Sequence, residues 1–243
     1  IATYVNASSG NSIDNLADAM IEDNSMYIGN DPVSTTSTAE YNVALGTTTL
    51  DAITTGDNNT ASGYGALTDN TTGGQNTAMG RYALWKNQTG SANTAIGDYA
   101  MKQFREEGST YNTAVGHNAG KAVTTGIKNT IIGSLAGDAL TDAGSNVAIG
   151  YGALTTQNFG TATNTYNVAI GHGAGLSSTT GIRNEFIGGL AGYSNTTGSN
   201  NVGIGLSALE GNTIGSKSIA IGSNTLGLQN PATAADMYNV AIG

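Results

Sequence analysis

The sequence predicts an all-β chain wound as a parallel β-solenoid (a β-roll or β-helix) with 17-residue coils. Three observations carry that expectation: a pentad that recurs at a fixed interval, a short-strand pattern inside it, and few apolar residues for the chain's length. The pentad is Asn-Thr-Ala-Ile-Gly at 93–97, and its closing glycines are Gly29, Gly46, Gly63, Gly80, Gly97, Gly116, Gly133, Gly150, Gly171, Gly188, Gly205, Gly222 and Gly243. Nine of the twelve intervals between them are 17 residues, and the others are 19, 21 and 21. Gly, Thr and Asn number 36, 34 and 27, whereas Leu, Ile, Val and Phe together supply only 44 of 243 residues. A thin coil that stacks on its neighbour encloses few side chains and relies on hydrogen bonds between coils, so this composition suits it. Helical repeats are excluded by length, because the shortest helix-hairpin units need about 33 residues.

Taken in order, residues 1–22 lack the pentad. Ile13, Leu16, Met20 and Ile21 are interspersed with Asp14, Asp18 and Glu22 at a loosely helical spacing, which reads as a connector or N-terminal cap. Residues 23–243 read as about 13 coils. In each pentad the residue before the glycine is apolar in twelve of thirteen cases, from Ile28 to Ile242, and is expected to face a core. The position two earlier is mostly β-branched, and the Ala between them is expected on the opposite face. Thr-Thr-Gly at 54–56, 71–73, 124–126, 179–181 and 196–198 marks a corner whose glycine is expected to supply a positive φ. With Ala-Leu, Ala-Met or Ala-Gly after most pentads, the predicted coil is strand, corner, short second strand, Thr-Gly corner. The Asn that opens the pentad recurs from Asn42 to Asn239, with Ser25 and Ser218 as exceptions. It reads either as a stacked amide ladder or as a turn residue bonding its own backbone, and the two are compatible.

The three long intervals place extra loops near 102–110, 155–165 and 227–237, each leading into Tyr-Asn at Tyr111, Tyr166 and Tyr238. These tyrosines are expected to cover the coil edge beneath the loop. Where the strand Ala becomes Ile131 or Phe186, the residue two after the glycine becomes Leu135 or Leu190. That is read as a bulkier packed layer repeated in two related blocks.

Function classes fall away in turn. A net charge of −9 with 8 dispersed Lys and Arg gives no footprint for nucleic acid. No apolar run reaches the 18 or so residues of a spanning helix, so this segment inserts in no membrane. With no cysteine there is neither disulfide nor thiolate chemistry. His117 and His172 follow pentad glycines but have no carboxylate or second histidine at ligand spacing, and no nucleophile–base grouping or acid/base pair stands out. The chain is therefore read as a non-enzyme without metal or cofactor. An ice-binding Thr array (Thr60, Thr77, Thr94, Thr113, Thr130) is a lesser alternative, since the same position later holds Val147, Val168, Val202 and Ile219.

Asn-Val-Ala-Ile-Gly at 146–150 and Ser-Ile-Ala-Ile-Gly at 218–222 resemble the head repeats of trimeric autotransporter adhesins. The longer run Asn-Thr-Ala-Val-Gly-His-Asn-Ala-Gly at 112–120 is similar to repeats of bacteriophage tail fibres. The likeness covers residues 24–243, and its departure is a coil longer than those of the adhesin heads. It implies left-handed coils, three chains wound into an elongated homotrimer, and an extracellular place on a virion tail fibre or bacterial surface, attached to a host. The Ala/Gly face, expected as a smooth apolar strip, would be buried against copies of the chain. Candidate contacts for a host glycan or protein receptor are Trp85, Lys86, Phe104, Arg105 and Phe159. A purely structural extracellular filament or matrix protein is the alternative. The sequence ends inside a pentad, at Ala241-Ile242-Gly243, and so reads as a piece of something longer.

Overall fold

The computed structural model describes residues 19–22, 24–29 and 38–243. Strands and turns account for all the regular structure among them. The chain divides into two compact units, Ile1–Tyr111 and Asn112–Gly243.

In the first unit Ser25–Ile28, Val43–Leu45, Thr60–Ser62, Thr77–Met79 and Thr94–Ile96 lie side by side. All pairings are parallel and in register, as Met26↔Val43, Val43↔Thr60, Thr60↔Thr77 and Thr77↔Thr94. In the second unit the same ladder runs from Thr113–Val115 through Thr130–Ile132, Val147–Ile149, Val168–Ile170, Glu185–Ile187, Val202–Ile204 and Ile219–Ile221 to Val240–Ile242. Each unit is thus a parallel β-solenoid, and the period of 17 is the step from one coil to the next. At residues 19–22 a strand stands where the sequence suggested helical spacing. Ala19–Glu22 pairs antiparallel with Ser25–Ile28 on the free edge of the ladder. Residues 1–18 lie outside the described part.

The faces of the strand are the reverse of those expected. Its central residue points inward: Ala44, Ala61, Ala78, Ala95, Ala114, Ala148, Ala169 and Ala220 are all at most 1% exposed. The β-branched and aliphatic flanks point outward, with Leu45 51%, Met79 45%, Ile132 38% and Ile187 37% exposed. Size explains the inversion. Where the turn opposite carries a fully buried Leu50, Leu67, Leu84, Met101 or Leu154, the narrow coil holds a strand residue no larger than alanine; the larger inward residues are Tyr27, Ile131 and Phe186. Apolar character alone did not reveal which face the coil could accommodate.

The second strand is likewise rare. Among the described residues it forms only as two-residue pairs, at Gly90–Ser91 with Gly108–Ser109, Ala143–Gly144 with Thr163–Asn164, and Gly215–Ser216 with Ala235–Asp236. Each pair involves one of the long loops. Elsewhere the return path is a run of turns whose amides still bond to the next coil, as Leu50 N to Ala66 O at 3.1 Å and Leu67 N to Ala83 O at 3.0 Å. The turns hold non-glycine residues in the left-handed region, Leu67 at φ 51° and Leu84 at φ 49° among them.

The Thr-Gly corner needs glycine for space. Gly56, Gly73, Gly126, Gly181 and Gly198 do not adopt the left-handed φ expected of them. A Cβ on Gly126 would instead collide with the carbonyl oxygen of Ala143 on the next coil, and one on Gly73 with that of Gly90.

The pentad asparagines form the amide ladder, and their Nδ2 groups bond the backbone of the next coil rather than their own, apart from Asn93 to Ser91 O and Asn146 to Gly144 O. The Asn42 Oδ1 accepts from the backbone N–H of Asn59 at 2.9 Å and from its Nδ2 at 3.0 Å, while the Asn42 Nδ2 donates to Gly56 O at 2.8 Å. Asn59 repeats this toward Asn76 and Gly73, and Asn76 toward Asn93 and Gly90. In the second unit the relay runs through Asn112, Asn129, Asn146, Asn167, Asn184 and Asn201 to the amide of Ser218. Each side chain therefore satisfies a backbone amide one coil away and a corner carbonyl, polar groups that are costly to bury unpaired.

Ile131 and Phe186 sit inside, as a packed layer should, but the compensating change is not at Leu135 or Leu190. Turn glycines make the room: Gly137 lies against Ile131, Gly175 of the preceding coil lies against Phe186, and a Cβ on Gly192 would collide with the Phe186 ring. The tyrosines ahead of the pentad Asn stand outward, with Tyr111, Tyr166 and Tyr238 59%, 54% and 68% exposed.

Candidate functional site

Stacked coils bring residues 17 apart in sequence into contact, so a corner position becomes a column. In the first unit one such column gathers aromatic and charged side chains. Tyr64, Tyr82 and Tyr99 come from three successive coils. Tyr64 meets Tyr82 edge-on with ring centroids 5.2 Å apart, and Tyr82 stacks on Tyr99 at 5.6 Å and 24°. Trp85 leans on Tyr82 at 5.2 Å.

Three cations lie over these rings. Lys86 Nζ is 3.9 Å from the Trp85 ring centre, Arg81 is 4.7 Å from that of Tyr99, and Lys102 Nζ is 4.7 Å from Tyr99, 4.9 Å from Trp85 and 5.5 Å from Tyr82. Ring faces attract cations through their quadrupole, which accounts for the arrangement. Two of the cations also have carboxylate partners one coil away. Arg81 forms a two-pronged pair with Asp98 at 2.9 and 3.1 Å, which raises the guanidinium pKa further, and Lys86 lies 3.4 Å from Asp69. Lys102 makes no ion pair among the described residues.

The candidates named from the sequence are divided by the structure. Trp85 and Lys86 belong to this cluster. Phe104 is corrected: it is fully buried, continuing inside the coil the column that holds Ile53, Asn70 and Asn87 below it, and it cannot touch a receptor. Arg105 is exposed on the first long loop. Phe159 is half-buried on the loop of the second unit. Tyr64, Arg81, Tyr82, Asp98, Tyr99 and Lys102 were missed as a group, though laying the coils over one another at 17 residues shows the signal: Arg81 above Asp98, Tyr82 above Tyr99, Asp69 above Lys86, Trp85 above Lys102.

In the second unit the corner after the pentad glycine carries His172 stacked on Tyr151 at 5.4 Å and 13°, and exposed His117 beside Asn118. On the last long loop Lys217 binds Asp236 at 2.7 Å and the Tyr238 hydroxyl at 3.0 Å, which holds the Asp236 carboxyl below the usual range. Among the described residues no three His, Asp or Glu side chains converge as metal ligands would, and no helix is long and apolar enough to cross a membrane. Comparison with protein families, with characterised proteins and with solved structures returns no match.

Proposed function

We propose that the chain is a non-enzymatic segment of a fibrous extracellular surface protein, a phage tail fibre or bacterial adhesin, that reaches toward and attaches to a host cell. In this reading its coils are left-handed and three chains assemble as a homotrimer. The observation that supports it is the outer sheet face. In the second unit, Val115, Ile132, Ile149, Ile170, Ile187, Ile204, Ile221 and Ile242 form one outward column, and Val147, Val168, Val202, Ile219 and Val240 most of a second, with Glu185 the one charge. Eight rows at about 4.8 Å make an apolar strip on the scale of the largest patches that monomers leave exposed. Burial against copies of itself covers such a strip, and this face replaces the Ala/Gly face that the sequence had nominated.

Sedimentation analysis of the segment at micromolar concentration tests the assembly. A trimer is expected, and a monomer would refute it. Two features weigh against the other readings. The outward Thr column of an ice-binding face is broken by Val147, Val168 and the exposed Glu185. A filament with no receptor gives no reason to concentrate aromatic rings and cations at one corner.

A further inference from the structure

We infer that the corner built by Tyr64, Arg81, Tyr82, Trp85, Tyr99 and Lys102 is a binding site for an acidic oligosaccharide, one whose pyranose rings carry carboxylate or sulfate groups. The inference deepens the attachment reading and rests on it only for its biological setting.

Charge is the first argument. The chain carries a net charge of −9 and has only 8 Lys and Arg, yet three of them meet over one set of rings. Asp98 and Asp69 offset two of these charges, and Lys102 remains, suspended between three aromatic faces. Among the described residues its ammonium is thus held by ring quadrupoles alone. Such a hold is weak at an exposed site and leaves the positive charge of Lys102 without a counter-ion. An incoming anion outcompetes that hold, drawing the flexible Lys102 chain off the rings and exposing their faces as it binds.

Shape is the second argument. A pyranose ring presents an apolar face of C–H groups with hydroxyls around its rim, and an aromatic side chain with a polar edge complements both. Tyr64 is 49% exposed at one end of the row, and Trp85 and Tyr99 are half-buried, so their rings are fixed in place and still reachable. The coil rise of about 4.8 Å is close to the length of one sugar ring, so a chain running along the column meets one tyrosine per sugar, Tyr82 and Tyr99 through their edges and hydroxyls because they stack on each other. Nucleic acid would bring a phosphate at every nucleotide and needs several clustered cations to match them, whereas this corner offers Lys102 as its one cation without a carboxylate partner among the described residues.

Trp85 is the sole tryptophan, so its emission reports the site directly. The whole segment is titrated with three probes: a sulfated hexasaccharide, a hexamer of uronic acid, and the neutral glucose hexamer. Saturable change with at least one acidic probe is expected, weakened at least tenfold by Lys102→Gln and by high salt, and retained in Lys102→Arg. The neutral hexamer should leave the emission unaltered. Whichever acid binds more tightly tells whether carboxylate or sulfate is read. No saturable response to either acid, an equal response to the neutral probe, or undiminished binding by a Lys102→Gln protein of unaltered melting temperature would overturn the inference. Sedimentation of the same samples separates the two claims. A monomer that binds acid sugar removes the trimer alone, and a trimer that ignores both acids removes the site alone.

Discussion

At the scale of single residues, the coil is held by side chains that act as backbone. Asn59 accepts the amide of Asn76 at 3.0 Å and donates to Gly73 O at 2.9 Å, with no exposed surface of its own. Asn59→Ala strands the amide of Asn76, whereas Gly73 O keeps its bond from the Asn70 Nδ2 at 2.9 Å, so the variant is expected to cost about 1–3 kcal/mol, the penalty of one unsatisfied buried group, read as a lowered denaturation midpoint. Asp138 offers the opposite case. It is half-buried and its Oδ1 has no hydrogen-bond partner among the described residues. Burial raises its pKa, against smaller opposing effects of Lys121 and His117. A carboxyl raised in the folded state stabilises fully only below its unfolded pKa, and that contribution is lost as pH rises through the folded value. Asp138→Asn is therefore expected to raise the melting temperature at pH 7 and leave it nearly unaltered near pH 3. An equal gain at both pH values would point away from ionisation. The amide relay was legible in the sequence, because an Asn at each pentad start has few other uses. The Asp138 environment was not, because it depends on which turn residue shields it.

At the scale of the coil, what matters is a sum of volumes across a narrow interior. The strand Ala and the turn Leu together fill one layer, and Phe186 with Gly192 fills another in reversed order. Phe186→Ala should cost about 3–5 kcal/mol, the usual range for emptying a buried aromatic site. Adding Gly192→Leu is expected to recover most of that loss, since Leu209 one coil away holds the same left-handed conformation, φ 54° against 58°. Thermal melts of the single and double variants measure the recovery, and additive losses would refute the exchange. This also shows where reading by pattern stops. The period, the parallel stacking and the strand position followed from the pentad spacing. The inward face did not, because Thr-Ala-Ile alternates equally well either way and only the width of the closed coil decides. The Thr-Gly corner shows the same limit: its glycines were foreseen, but the reason for them is the carbonyl of a coil 17 residues on, which local turn chemistry does not contain.

At the scale of the whole molecule, an acidic chain with a small core shows its apolar surface on the outside of the sheet. If that surface is the trimer interface, Ile149→Lys with Ile204→Lys should convert the trimer to monomer without loss of strand signal in circular dichroism, since both side chains point away from the coil. Retention of the trimer would locate the contact elsewhere. The aromatic corner was half visible, through Trp85 and Lys86, and its other members became visible once residues were compared by column. One feature of the ladder reaches further. Within each unit the pentad glycines, Gly63 to Gly97 in the first and Gly116 to Gly243 in the second, pack against one another from coil to coil, so closely that a methyl on Gly133 would lie 2.6 Å from Gly150 O and one on Gly150 2.5 Å from Gly171 O. Each storey thus presents to the next the same surface it received from the one before. A gene lengthened or shortened by whole repeats would preserve every such junction, which makes the number of coils the trait such a sequence can alter most readily, one storey at a time.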